Sequence, residues 1–215
     1  RQMCIRDSRR MENGDCDCVL VDNEGAAQNA VKRLMKKGHK KIGMITGPDN
    51  VYTARERQRG YELAIQESSK ARSAQQSDLK GKTERTDTKL LADGNYTIAG
   101  GAKAMRKLYE DNPDMTAVFV TNYEMTMGAM IEVNELGIQI PDELSVIGFD
   151  NLQFARACRP KLTIVSQPTD RIAREVARIM LEHLEKKEKE TEEPFMEKLQ
   201  TEIIEGKSVS FLDKQ

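Results

Sequence analysis

What most constrains this chain is an alternation. Short runs of apolar, β-branched residues recur between longer segments whose apolar residues have helical spacing. Residues 19–21, 42–45, 117–120 and 144–147 have the composition of buried strands. Ala26, Ala30, Val31, Leu34 and Met35 stripe a helix that Gly38 stops, and Ala102, Met105, Leu108 and Tyr109 stripe another before Pro113. Residues 54–65 and 125–136 also read as helices, residues 172–184 as a long helix with a charged tail, and Ile203 and Ile204 as a closing strand. A further strand is expected before Gly94. Strands that alternate with helices predict βαβ units, and so an α/β fold: a mostly parallel sheet between two helical layers, a three-layer sandwich.

Two stretches break the rhythm. Residues 66–88 are rich in Ser, Gln and Lys with almost no apolar periodicity, and read as an elongated surface loop. The opening RQMCIRDSRR shows neither strand nor helix spacing. Residues 1–16 are therefore left unassigned, and a non-native origin for the first ten is one reading.

Composition narrows the function. The 34 basic and 35 acidic residues nearly cancel, with no concentrated basic face of the kind nucleic-acid-binding modules carry. Cys16 and Cys18 form C-x-C without the second Cys/His pair of a structural zinc site, and with Cys4 and Cys158 they read as reduced thiols. No run is long and apolar enough to span a bilayer, and no basic start with an apolar centre marks a leader. His39 and His183 have neither a nucleophile nor an acidic orienter in a recognisable arrangement, and Gly100-Gly101 lacks the spacing of a phosphate loop. No enzyme activity, cofactor or metal is expected.

Binding chemistry is better represented. Residues 141–168, PDELSVIGFDNLQFARACRPKLTIVSQP, hold two strand-like runs, with Gly148, Asp150 and Asn151 after the first. Ligands of open α/β sheets sit outside the carboxyl ends of the strands. Asp150 there can accept hydrogen bonds from a hydroxyl; alternatively, Asp150 and Asn151 cap the short helix that follows. Arg57 lies in the first turns of a helix after a strand and loop. Its guanidinium can fork onto vicinal hydroxyls, a carboxylate or a phosphate, or else pair with Glu56 at the surface. Thr53 and Arg55 share its loop, and Asn122 follows the 117–120 run with one donor group and one acceptor.

The 141–168 stretch resembles the LacI/GalR family of bacterial transcription regulators. VDNEGAAQNAVKRLMKKGHKKIGMITG (21–47), the RxxG of Arg57 and Gly60, TNYEMTMGAM (121–130) and LQTEIIEGKS (199–208) follow in the family's order, over roughly 17–209. The resemblance implies a type I periplasmic-binding-protein-like fold. Residues 17–168 and 199–209 would be mainly the C-terminal subdomain, nearly complete, and 169–190 a helix of an N-terminal subdomain that is mostly missing. It implies that Arg57 contacts an effector, that Tyr96 after Gly94-Asn95 stacks on a sugar ring (or is a half-buried strand-end tyrosine), and that Gln167 lies where a crossover passes the cleft. Relatives usually have Asp where Tyr123 stands, a departure that favours a less polar or larger effector. The implied function is a cytoplasmic, homodimeric regulator whose core binds a sugar or related polar metabolite and whose headpiece, outside 1–215, binds operator DNA. The alternative is a periplasmic solute-binding protein of a sugar transporter, which shares the fold. Finally, Ile172, Val176, Ile179 and Met180 form an i, i+4, i+7, i+8 stripe that relatives pack on the N-terminal subdomain's sheet. The stripe is expected to be poorly covered here.

Overall fold

The computed structural model describes residues 5–7, 17–75, 90–185 and 195–212. In chain order the elements are β1 (Ile5–Asp7), β2 (Asp17–Val21), α1 (Asn23–Lys36), β3 (Ile42–Thr46), α2 (Tyr52–Gln75), β4 (Leu90–Asp93), α3 (Ile98–Asp111), β5 (Ala117–Val120), α4 (Tyr123–Glu135), β6 (Ser145–Phe149), α5 (Leu152–Ala157), β7 (Thr163–Ser166), α6 (Thr169–Glu185), β8 (Met196–Leu199) and β9 (Glu202–Ile204). They fall into two units: Asn23–Ser166 with Ile203–Gln215, and Arg1–Asp22 with Gln167–Glu202.

The larger unit is built on a six-stranded sheet of order β4-β3-β5-β6-β7-β9. The pairings of β3 with β4 and β5, of β5 with β6, and of β6 with β7 are all parallel. Successive strand residues face opposite ways. Ile42, Met44, Ala117, Phe119, Ile147 and Phe149 therefore share one face with Ala27, Ala30, Val31 and Leu34 of α1 and with Tyr61 and Ala64 of α2. Ile45, Val118, Val120, Val146 and Ile164 share the other with Met105 and Leu108 of α3 and with Met125, Ala129 and Val133 of α4. Helices on both faces explain why the strands read as continuous apolar runs rather than as alternating ones. This is the three-layer α/β arrangement expected from the sequence.

The segment after β9 ties the far edge of the sheet together. Ser208 Oγ donates to the Val146 carbonyl and accepts from the Thr163 amide, and Val146 N donates to the Ser208 carbonyl. Lys37 Nζ donates to the Val209 carbonyl. His39, buried between α1 and β3, has Nδ1 3.0 Å from Thr116 Oγ1 and Nε2 3.3 Å from the Ser210 carbonyl.

Both stretches that break the rhythm differ from expectation, and in the opening, read as neither strand nor helix, Ile5–Asp7 form β1. The 66–88 stretch was expected to be loop, yet α2 continues through Gln75. Its residues there are mostly good helix formers. Glu67 also binds α1 through Lys32 and Gln28. The missing apolar period therefore does not mark the end of the helix. Residues 76–88, like 1–4, 8–16 and 186–190, lie outside the described residues.

The smaller unit is a separate sheet of order β1-β2-β8, parallel throughout, with α6 against it. The strand around Val19 therefore lies outside the main sheet, and 17–22 and 199–202 stand with α6 rather than with the larger unit. The physical reason is the ladder from β2 to β8, a strand whose Met-Glu-Lys-Leu sequence carries no continuous apolar run. Val19, Val21 and Leu199 cover Ile172 and Ile179, which are 7% and 3% exposed. The expectation of a bare stripe is thus corrected at those two positions. Val176 is half-buried, and the expectation survives at Met180, the fourth residue of the stripe, which is 48% exposed. Asp17 joins the unit's ends, accepting from Phe195 N and pairing with His183 Nε2 at 2.9 Å. Among the described residues, no helix is long and apolar enough to cross a membrane.

Two tests follow from this packing. Gly128 of α4 faces the start of α3, where a Cβ would overlap the Ile98 carbonyl. Alanine gains about 1 kcal/mol over glycine in helix propensity, so a net loss in Gly128→Ala reads the overlap directly. We expect a loss of about 1–3 kcal/mol, seen as a lower urea midpoint at unchanged slope. Burial holds the His39 imidazole below its ordinary pKa, with Lys37 adding to the effect and the Ser210 carbonyl opposing it. The unfolded chain takes up this proton near pH 6.5 and the folded chain only at lower pH. Stability from the neutral ring is therefore complete above that pH and is lost as pH falls through the lowered folded value. Between about pH 7.5 and pH 5.5 the urea midpoint should fall more steeply for the wild type than for His39→Gln.

Candidate functional site

Because the strands are parallel, β3, β4, β5 and β6 deliver the residues after them to one edge of the sheet. Those residues are Gly47, Tyr96, Asn122 and Asp150, and α2, which begins just beyond β3, adds Thr53 and Arg57. All belong to the larger unit. Gln167 is the first residue of the smaller unit's second segment, half-buried, and does not belong to this group.

Arg57 is the centre of the group. It is only 5% exposed, which removes the surface pairing with Glu56 as its role. A buried guanidinium must find acceptors or a countercharge. Here Nε donates to Asn23 Oδ1 at 2.8 Å, Nη1 donates to the Thr121 carbonyl, and Cζ lies 3.7 Å from the centre of the Phe149 ring. Burial pulls its pKa below the ordinary arginine range, while the charge of Asp150, and more weakly Tyr96, opposes that pull. The group remains a cation. Its Nη2 makes no hydrogen bond to the described residues and is not among their enclosed, unpartnered atoms. One end of a clamped guanidinium thus stays open.

Of Asp150 and Asn151, it is Asn151 that caps the following helix, α5, its Oδ1 accepting from Phe154 N at 2.9 Å. Asp150 donates its backbone N–H to the Val165 carbonyl, and its carboxylate acts on Arg57. Both have left-handed backbone, φ +62° and +52°, a conformation Asn and Asp tolerate better than other non-glycine residues. Two such residues in succession turn the chain sharply at the strand end.

Tyr96 also has positive φ, +52°. Its ring lies over Gly47, where any Cβ would overlap it, and its hydroxyl is 3.1 Å from Thr53 Oγ1. It is half-buried against the core under α3 and α4, so it is a strand-end tyrosine that also stands at the rim. Asn122 is the N-cap of α4: Oδ1 accepts from Met125 N, and Nδ2 donates to Glu124 Oε2, each at 2.9 Å. Both polar ends are therefore engaged locally. Exposed Arg55 turns back to the Asp49 carbonyl.

Tyr123 stands edge-on to Phe154, with ring centres 5.6 Å apart. Phe154, Met127, Met130, Ile131, Cys158 and Arg159 line a cavity of about 330 Å³ beside α4 and α5. Tyr123, at the start of α4, thus packs as an aromatic contact on α5.

Sequence reading missed four contributors. Thr121 acts through its backbone and Phe149 is hidden in an apolar strand, so neither leaves a signal. Gly47 stood out only as the last residue of the 21–47 stretch. Asn23, an amide two residues past a strand, carried the same signal as Asn122. Together Arg57, Asp150, Tyr96 and Thr53 offer a cationic donor, an anionic acceptor, an aromatic ring and a hydroxyl. Among the described residues no group of three His, Cys, Asp or Glu is placed to hold a metal.

Residues 31–209 match the family described as periplasmic binding protein-like domain. The chain is 33% identical over 167 residues to the HTH-type transcriptional repressor CytR of Escherichia coli (strain K12), covering 78% of this chain and 45% of that protein. The chain thus spans about half the length of the curated relatives it matches. Its structure is similar to that of the transcriptional regulator CelR in complex with cellobiose, at 28% identity and TM-score 0.79, over 95% of this chain and 58% of the other. A LacI family transcriptional regulator from Enterococcus faecium with bound ribose has the same fold, with TM-score 0.81 at 22% identity over 97% of this chain and 71% of the other. The chain belongs to the periplasmic binding protein-like domain family, among the cores of LacI/GalR-type transcriptional regulators.

Proposed function

We propose that this chain is the effector-binding core of a bacterial transcription regulator, and that its ligand is a sugar or related polar metabolite. The observation that carries the reading is the open Nη2 end of the clamped Arg57 guanidinium, with Asp150 beside it on the carboxyl edge of the sheet. A cationic donor beside an anionic acceptor suits neighbouring hydroxyls, which both donate and accept. Tyr96 and Thr53 flank the pair, and the Asn122 cap holds the end of β5 in place. The CelR–cellobiose structure supports the ligand class, since that relative holds a disaccharide. Regulators among the relatives support this reading over a transporter's solute-binding protein.

In this reading the ligand favours one arrangement of the core over another, and the shift in population is felt at the operator by a DNA-binding headpiece of the whole protein. The whole protein works as a homodimer in the cytoplasm, without catalysis or a cofactor. A thermal-shift screen of mono- and disaccharides on this chain finds candidate ligands, because a molecule that binds only the folded state raises the melting temperature. For a sugar so found, Arg57→Ala should weaken the calorimetric affinity by about 2 kcal/mol or more, the scale for losing a charged hydrogen-bond partner. Affinity equal to the wild type's would remove Arg57 from the site.

A further inference from the structure

We infer that Asn23 is a positioning residue for this site: it holds the Arg57 guanidinium in the orientation that leaves Nη2 open. The inference rests on the effector-binding reading of Arg57. Asn23 is 2% exposed, opens α1, and is the first residue of the larger unit after the chain leaves β2. Its Oδ1 accepts from Arg57 Nε at 2.8 Å. The Thr121 carbonyl takes Nη1, and the Phe149 ring sets the plane. Three contacts on one flat group leave it a single orientation.

Of the three, only the Asn23 contact is made by a polar side chain, so it alone can be removed without touching the backbone or the core. The chemistry of the acceptor also matters. An amide oxygen and a peptide carbonyl hold the guanidinium without neutralising it, so its charge stays directed at Asp150 and at whatever enters the site. A carboxylate at position 23 would hold the same N–H and neutralise the cation from behind. Asparagine keeps the geometry and leaves the charge.

The test reads the clamp with and without ligand. In nitrogen-edited spectra of the whole chain, the Arg57 Nε–H signal, assigned by its loss in Arg57→Lys, should exchange slowly with water. In Asn23→Ala it should exchange about tenfold faster or more, the scale for losing a hydrogen bond to a charged group. The backbone amides of β3 and β5 should keep their protection. Asn23→Asp, which restores an acceptor oxygen, should bring slow exchange back, a recovery that a loss of packing alone would not give. Asn23→Ser is the second truncation if the alanine chain does not fold. With cellobiose and ribose as probes, Asn23→Ala should also weaken any binding the wild type shows by about tenfold or more. Unchanged Nε–H exchange in Asn23→Ala, or faster exchange with wild-type sugar affinity, would overturn the inference. Wild-type affinity in Arg57→Ala would instead overturn the effector reading. If neither sugar binds the wild type, Nε–H exchange alone decides whether Asn23 holds the clamp.

Discussion

Placing the cation of Arg57 inside the protein governs how this end of the larger unit is built. A guanidinium removed from water must have its N–H groups and its charge met by the protein. Here the acceptors come from the first residue of α1 and the residue after β5, the flat face is met by the last residue of β6, and the countercharge follows it. Elements distant in sequence thus share one group. Their registers are mutually constrained, because moving any of them leaves a buried donor unsatisfied, at a cost of about 1–3 kcal/mol or more. The Nη2 end is the exception: it makes no hydrogen bond to the described residues.

Around this group, similar residue types have different roles. Asn122 and Asn151 both follow strands, and both direct Oδ1 to the backbone N–H three residues on, capping α4 and α5. Asn23 also follows a strand and opens a helix, yet its Oδ1 takes a guanidinium. The difference is position: Asn122 and Asn151 precede their helices as N-caps, whereas Asn23 is already the first residue of α1, where Arg57 of α2 reaches it.

The smaller unit shows the same principle in packing. Ile172 and Ile179 of α6 find cover in Val19, Val21 and Leu199, although β2 and β8 are far apart in sequence. A three-stranded parallel sheet with one helix against it suffices to bury those two residues. Met180, Leu181 and Leu184 of the same helix are exposed in this chain.

The alternation of strand and helix, the helix stops at Gly38 and Gly137, and the strands around Val118 and Val146 were legible without coordinates. Each depends on local periodicity and turn chemistry, which neighbouring residues carry among themselves. The carboxyl edge was legible too: once the sheet is parallel, whatever follows its strands must gather there, as Arg57, Tyr96, Asn122 and Asp150 do. Sequence put the strand at Val19 in the main sheet and residues 66–75 in a loop, both wrongly, and left open the division of cap and carboxylate between Asn151 and Asp150 and the partner of Asn23. These depend on which surface meets which across long separations. Ladder hydrogen bonds between β2 and β8, ion pairs between α1 and α2, and a guanidinium reaching from α2 to α1 leave no periodic trace in the sequence. Only the folded packing, where each buried polar group must find its partner, decides among them.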